Sequence, residues 1–278
     1  PVAKNGYLTI GSKKIRIRRI QIEEDPAKVV HVGGSITNAQ YTLIDYNRAG
    51  FPMVEIVTEP DFENTQQVRD FLSKLQSILE HLEVYDSSKE ASLRVDANIS
   101  IEGGERIEVK NITGFANVEK ALNYEIVRQQ NLVRMGMKIE RETRHFDEAT
   151  KTTALLRKKE SEEDYGYIFE PDLPRFTIFP AIVKSIEKQM PELPDARVAR
   201  FVKKYKIPEN QAQVLVYGDK ALADFFEDCV MEFRKPELIS RWIVTDLLKV
   251  LNWNDITIRK SKVTTKLFIE FLKAMHKG

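Results

Sequence analysis

A chain of 278 residues, 42% hydrophobic with 12 glycines besides, has material for one large or two modest packed domains and is not a disordered polypeptide. No apolar run approaches the roughly 18 residues of a membrane helix, no hydrophobic signal core opens the chain, and the single Cys229 excludes an internal disulfide, a Cys-x-x-Cys metal site and an iron–sulfur cluster. The net charge of +1 conceals a division: residues 1–178 carry 25 basic and 29 acidic side chains, residues 179–278 carry 18 and 13. The chain reads as soluble and cytoplasmic, and its basic tail is compatible both with nucleic-acid contact and with an ordinary solvated helical domain.

Residues 14–24 alternate apolar and polar, but the phase slips at Arg18 and Arg19: Ile15 and Ile17 fall on one parity, Ile20 and Ile22 on the other. That pattern predicts a strand with a bulge. A second strand, 53–59 (MVEIVTE), is entered through the loop 47–52 and ended by Pro60. After Asn64, apolar residues at 68, 71, 72, 75, 78, 79 and 82 form a helical stripe, with Asn64 and Gln67 placed as a capping pair. Residues 91–110 read as a hairpin. A two-residue Gly-Gly loop would set Ile107 against Ser100, whereas a three-residue loop, 102–104, pairs Ile99 with Ile107 and Ala97 with Val109 on one face. The other face then opposes Asn98 to Glu108 and Asp96 to Lys110.

The next helix is predicted over 116–135, with Val118, Leu122, Ile126 and Val133 inward. Residues 140–175 read as charged and irregular, closing on a proline-rich exit at 170–174 that marks the domain boundary. From about 179 the period is helical throughout, punctuated by Pro191, Pro194, Pro208 and Pro236 near helix starts. The expected organisation is therefore α+β, with an antiparallel-sheet domain over 1–178 and a small all-α domain over 179–278.

The familiar nucleotide-binding glycine loops, the H-E-x-x-H metal motif and the G-x-S-x-G elbow are absent. Histidines 31, 81, 145 and 276 are scattered; His81 and His276 read as surface residues, and Cys229 as helix packing. What remains is carboxylate chemistry. Glu23, Glu24 and Asp25 follow an arginine-rich strand, and Glu55 interrupts an apolar one between Val54 and Ile56. With Asp96 these would suit Mg²⁺, which takes oxygen ligands and shares its shell with water and substrate phosphates. They equally suit the solvated face of a half-covered sheet, and Arg94 and Lys110 of the hairpin are open to both readings.

The runs RIQIEED (19–25), DYNRAGFPMVEIVTEPD (45–61), SLRVDANIS (92–100), IEVKNITGF (107–115), RETRHFDEAT (141–150), FEPDLP (169–174) and MPELPDARVARF (190–201) occur in order over nearly the whole chain. Together they closely resemble the B subunit of the tRNA-dependent amidotransferases; the last block and DKALADFFEDCV (219–230) favour B over the related archaeal E subunit. The resemblance implies a catalytic domain like that of glutamine synthetase and an enzyme that amidates the Glu or Asp misacylated onto tRNA(Gln) or tRNA(Asn). It implies ATP and Mg²⁺ as cofactors, ammonia from a partner amidase (the A subunit), a small C subunit, misacylated tRNA as partner, and no membrane.

Carried over by position, Glu24 and its neighbour Glu23 match the family's metal-binding acidic pair, Glu24 as direct ligand and Glu23 as ligand or outer support. Glu55, Asp96 and Lys110 match family motif positions. Their roles follow from charge: Glu55 and Asp96 near metal or ammonia, Lys110 and Arg94 toward phosphates. Arg48 either clamps a phosphate or substrate carboxylate or holds its own loop by an ion pair. The basic tail offers Arg197, Arg200, Lys203, Lys204, Arg241, Lys260 and Lys262 to the tRNA backbone. The family's N-terminal Glu-x-His strand and C-terminal tail domain have no counterpart here, and Gln21 and Pro26 depart from its pattern, so the sequence reads as a fragment. A non-catalytic tRNA-binding or assembly scaffold is the alternative to a catalytic core.

Overall fold

A computed structural model describes residues 1–33, 39–86, 93–158 and 177–277. The chain divides into two compact units, Pro1–Phe71 and Leu72–Gly278. The proline-rich exit at 170–174 lies outside the described residues, and the boundary expected after residue 178 follows it closely.

In the first unit, strands β1 (Ala3–Ile10), β2 (Lys13–Glu24) and β5 (Pro52–Thr58) form an antiparallel sheet in the order β1-β2-β5, while β3 (Lys28–Val32) and β4 (Tyr41–Asp45) pair separately. Sequence alternation did not reveal β1, β3 or β4; their side chains are mostly exposed, so no buried face imposes a pattern. The bulge in β2 is where the phase slip puts it: Ile17 opposes Thr58, Arg19 opposes Val57, and Arg18 is the extra residue. Its consequence is a single apolar face. Directly opposed residues share a face, so Ile17 with Thr58, Ile20 with Ile56 and Ile22 with Val54 lie on one side of the ladder. Ile15 and Ile17 are buried at one end of it, whereas Ile22 and Val54 remain exposed at the other.

Helix α1 (Thr65–His81) starts where the side-chain Oδ1 of Asn64 accepts from the Gln67 backbone amide at 2.9 Å, and the Gln67 side chain reaches back to the Glu63 amide at 2.9 Å. The edge-on packing of Phe62 on Phe71 belongs to the first unit. Beyond Phe71 the helix belongs to the second unit, where Lys74 pairs with Asp195 at 2.8 Å and Ser77 donates to the Val216 carbonyl at 3.2 Å.

The second unit opens with a four-stranded sheet, β6 (Arg94–Ile99), β7 (Ile107–Thr113), β8 (Glu142–Asp147) and β9 (Thr152–Lys158), in sequence order. The hairpin register is the one that puts like against like: Ile99 opposes Ile107, Ala97 opposes Val109 and Asn98 opposes Glu108. At Asp96 a register shift intervenes, Asn111 takes a left-handed φ of 57°, and the Asp96 side chain accepts from the Asn111 amide at 2.8 Å. Gly103 in the connecting turn takes a left-handed φ of 81°, which glycine adopts without the steric cost of a Cβ. Helix α2 (Phe115–Arg134) then crosses back and packs on the sheet, so that β8 runs parallel to β7; the sheet is antiparallel except for this step.

Two expectations are corrected here. Residues 142–158, read as irregular, are the β8–β9 hairpin. On α2, Val133 is 43% exposed, and the buried positions are Val118, Ala121, Leu122, Glu125 and Gln129.

From Pro180 onward every described element is helical: α3 (Pro180–Gln189), α4 (Pro194–Arg200), α5 (Glu209–Gly218), α6 (Lys220–Glu232), α7 (Pro236–Trp242), α8 (Leu248–Trp253) and α9 (Thr265–Lys277). Pro180, Pro194 and Pro236 occupy first-turn positions, where a missing amide proton leaves no bond unmade. Wide π-type turns at Phe201–Tyr205 and Ile243–Leu247 extend α4 and join α7 to α8. The core of this part gathers Phe201, Phe226, Leu215, Leu222, Ile239, Ile243 and Leu272, with Cys229 packed among them as expected. His81 is a further correction. It is 2% exposed, its Nδ1 lies 2.8 Å from the Ser77 carbonyl, and burial lowers its pKa from the ordinary value.

Candidate functional sites on two polar strand faces

The residues singled out by sequence fall in both units: Glu23, Glu24, Arg48 and Glu55 in the first, Arg94, Asp96 and Lys110 in the second.

In the first unit, the face of β2 and β5 opposite the apolar one carries Arg19, Gln21, Glu23 and Glu55, because Gln21 opposes Glu55 and Glu23 opposes Met53. These side chains are linked in series. Arg19 donates to Gln21 at 3.0 Å, and Gln21 donates to Glu23 at 2.7 Å. Arg19 stands 3.7 Å from Glu55 Oε2, an ion-pair distance too long for a hydrogen bond. That Oε2 is shielded from solvent and accepts no hydrogen bond. Glu24, opposite Pro52, projects to the other face beside Ile22 and Val54, so strand alternation separates the two members of the acidic pair.

Asp25 ends the strand differently. It is 7% exposed, bonds the Ala27 amide at 3.1 Å, and accepts from Arg48 Nη2 at 2.6 Å. Its backbone exchanges hydrogen bonds with Gly50 and Phe51, each 2.9 Å, closing the loop that holds Arg48. Of the two roles open to Arg48, the loop-holding ion pair is the one present, with half of its side chain still exposed.

In the second unit, Arg94 and Asp96 are exposed on β6, and Lys110 Nζ lies 3.6 Å from both Asp96 and Glu108. The parallel register adds two residues that sequence reading passed over: Thr143 beside Glu108, donating to it at 3.3 Å, and His145 beside Lys110. Beneath the sheet, Glu125 of α2 is fully buried. Arg128 holds it at 2.9 to 3.1 Å, Arg144 of β8 at 3.1 Å, Gln129 at 3.2 Å, and Thr153 donates to it at short range. Burial alone would raise this carboxyl, but the hydrogen bonds from Arg128 and Thr153 leave it below its ordinary range.

Among the described residues no group of three or more His, Cys, Asp or Glu could hold a metal ion. Glu23 and Glu55, which share one face of the first sheet, are the carboxylates there that a Mg²⁺ would draw on. No helix among the described residues is long and apolar enough to cross a membrane.

The family described as the GatB/GatE catalytic domain matches residues 1–184. The chain belongs to that family. Its curated relatives include the B subunit of the aspartyl/glutamyl-tRNA(Asn/Gln) amidotransferase from Saccharolobus solfataricus, 49% identical over 277 residues, and its counterpart from Sulfolobus acidocaldarius, 50% identical over 278 residues. The B subunit from Thermotoga maritima is 44% identical over 289 residues. All of this chain is covered in each comparison, but it spans only 58%, 59% and 60% of those relatives.

In the helical part, two of the residues offered to tRNA are engaged internally. Arg197 is 6% exposed and bonds Asp224 at 2.6 Å and Glu227 at 2.9 Å, while Arg200 bonds both Glu192 and Glu227. Lys203, Lys204, Arg241, Lys260 and Lys262 are exposed.

Proposed function

We propose that this chain carries the kinase and amidation chemistry of a tRNA-dependent amidotransferase acting on Glu, Asp or both, misacylated onto tRNA(Gln) or tRNA(Asn). The observation that carries the reading is likeness along the whole chain to curated B subunits at 44% to 50% identity.

A side-chain carboxylate cannot be amidated directly, because oxide is too poor a leaving group. One carboxylate oxygen attacks the γ-phosphorus of ATP, ADP leaves with the electrons of the broken P–O bond, and an acyl phosphate forms on the aminoacyl-tRNA. Ammonia then attacks the acyl carbon, phosphate departs, and the amide nitrogen gives up its extra proton. Two anionic reactants must meet in the first step, so positioning and charge neutralisation do most of the work.

Glu23 and Glu55 are the side chains that would hold Mg²⁺, whose chemistry when bound is to neutralise phosphate charge. The Oε2 of Glu55, which accepts no hydrogen bond, favours the face of Glu23 and Glu55 over that of Glu24. Lys110 and Arg94 orient phosphate oxygens, and Asp96 and Glu108 hold Lys110 in place between them. Arg48, fixed by Asp25, presents its exposed part to the substrate carboxylate or a phosphate.

The antiparallel part of the fold resembles glutamine synthetase in this reading, and residues 179–278 act as a separate helical domain, which the core spanning Val198 to Leu272 supports. Lys203, Lys204, Arg241, Lys260 and Lys262 supply sequence-blind tRNA affinity. The partners are an amidase, the A subunit, which delivers ammonia, and a small C subunit; the setting is the cytoplasm.

The test uses the complete amidotransferase containing this chain. Glu55→Gln should reduce amidation at least about a hundredfold, the scale of losing one electrostatic contact in a transition state, with tRNA affinity unchanged. Replacing Lys203 and Lys204 by Ala should weaken tRNA binding and reduce its salt slope by about two. Normal turnover in Glu55→Gln, combined with lost binding in the lysine variant, would favour the scaffold.

A further inference from the structure

Strand β8 has a register problem. On the β7 side only four residues pair, Ile107 with Glu142, Glu108 with Thr143, Val109 with Arg144 and Lys110 with His145. Both faces of that stretch are polar, so no apolar alternation selects one register over a slip of one residue. A slip would matter. It would carry Glu142 and Arg144 to the face of Asp96, Glu108 and Lys110, and send Thr143 and His145 into the core beside Ile107 and Val109.

We infer that Glu125 is a positioning residue that sets this register through Arg144. Only in the observed register does Arg144 lie on the α2 side, 3.1 Å from the buried Glu125, while it also donates to the Thr153 hydroxyl and carbonyl at 2.9 Å each and to Glu142 at 2.7 Å. The bonds to Thr153 reach β9 and those to Glu125 reach α2, so one guanidinium ties three elements together. A slipped strand would withdraw Arg144 and leave the buried Glu125 with Arg128, Gln129 and Thr153 but without its second guanidinium, a penalty on the alternative. Well-packed apolar side chains could replace a buried ionic network without great loss of stability; what they lack is this discrimination between registers. The purpose assigned to the polar face rests on the function proposed above, whereas the register claim does not.

The test reads register directly. In the full chain, Lys110→Cys is combined with His145→Cys to report the native pairing, or with Phe146→Cys to report the slip, since neighbours on opposite faces cannot bridge. Cys229 does not compete, because burial pushes its thiol up to about 12. With Glu125 present, the native disulfide should exceed the slipped one at least about thirtyfold. In the variant Glu125→Leu, Arg128→Leu, Arg144→Met the protein should still melt cooperatively, and the two disulfides should form within about threefold of each other. A slipped disulfide that stays at its original level in this folded variant overturns the inference.

If the triple variant does not fold, Glu125→Gln, which keeps the shape and removes the charge, should raise the slipped product about tenfold; no rise overturns the inference equally. Amidation by the complete enzyme carrying the triple variant, without engineered cysteines, separates the two claims. Mixed register with full amidation would remove the function assigned to the face and leave the register role standing.

Discussion

Replacing Glu227 by Ala should destabilise the helical part of the chain by about 3 kcal/mol at neutral pH. This carboxylate accepts from Arg200 at 2.6 and 2.9 Å, from Tyr205 at 2.7 Å and from Arg197 at 2.9 Å, and Arg197 is itself 7% exposed along its side chain. Removing it leaves a buried guanidinium with Asp224 as its remaining hydrogen-bond acceptor, and breaking a buried pair in this way costs about 3 to 5 kcal/mol. A second route gives a similar figure. Burial pushes the Glu227 carboxyl up, but Arg200, Tyr205 and Arg197 pull harder, and it is held down at about 2, against an ordinary 4.5. That difference corresponds to about 3 kcal/mol by linkage, trimmed to about 2 because the Arg200 arm is partly screened by solvent.

Both tryptophans, Trp242 and Trp253, lie in the helical part, so urea unfolding followed by their fluorescence reports on the right region. Because the folded carboxyl titrates below the unfolded one, its contribution is complete above about 4.5 and fades as the pH falls toward 2. The gap between wild type and Glu227→Ala should therefore narrow across that window. A gap below about 1 kcal/mol at pH 7, the size of an exposed ion pair, or one that does not narrow in acid, would refute the reasoning.

Ala27 holds a φ of 117°, which side-chain-bearing residues rarely adopt, so Ala27→Gly should stabilise the chain by about 1 kcal/mol, read as a higher melting temperature. Cys229 is buried, with its thiol pushed up to about 12; native protein should resist a thiol-specific reagent at pH 8 and react fully once unfolded in urea. His81 is buried, and its folded-state pKa is lowered, so the unfolded state takes up its proton first as the pH drops below about 6.5 and stability falls with it. In His81→Leu that part of the stability–pH slope should disappear; a slope identical to wild type between pH 6.5 and 5 would contradict the assignment.

Where apolar residues alone bear the packing, the chain could be read directly. The phase slip at Arg18 located the β2 bulge, the like-with-like rule found the Ile99–Ile107 and Ala97–Val109 register, and the helical stripes and prolines outlined α1 and the region from Pro180 onward. Family membership was legible too, since it rests on blocks of sequence. Tertiary structure alone decided three other matters. It made β8 and β9 strands although Glu142 and Arg144 stand where apolar residues would have announced them, because the buried Glu125 supplies the charge that satisfies Arg144. It turned Arg197 and Arg200 inward, from a presumed tRNA surface to the carboxylates of Glu227, Asp224 and Glu192. It also gave Arg48 the carboxylate of Asp25 as its partner. Apolar burial leaves a periodic trace along the chain because it is non-directional and roughly proportional to area. An ion pair depends on which distant partner arrives at about 3 Å, and no local spacing encodes that.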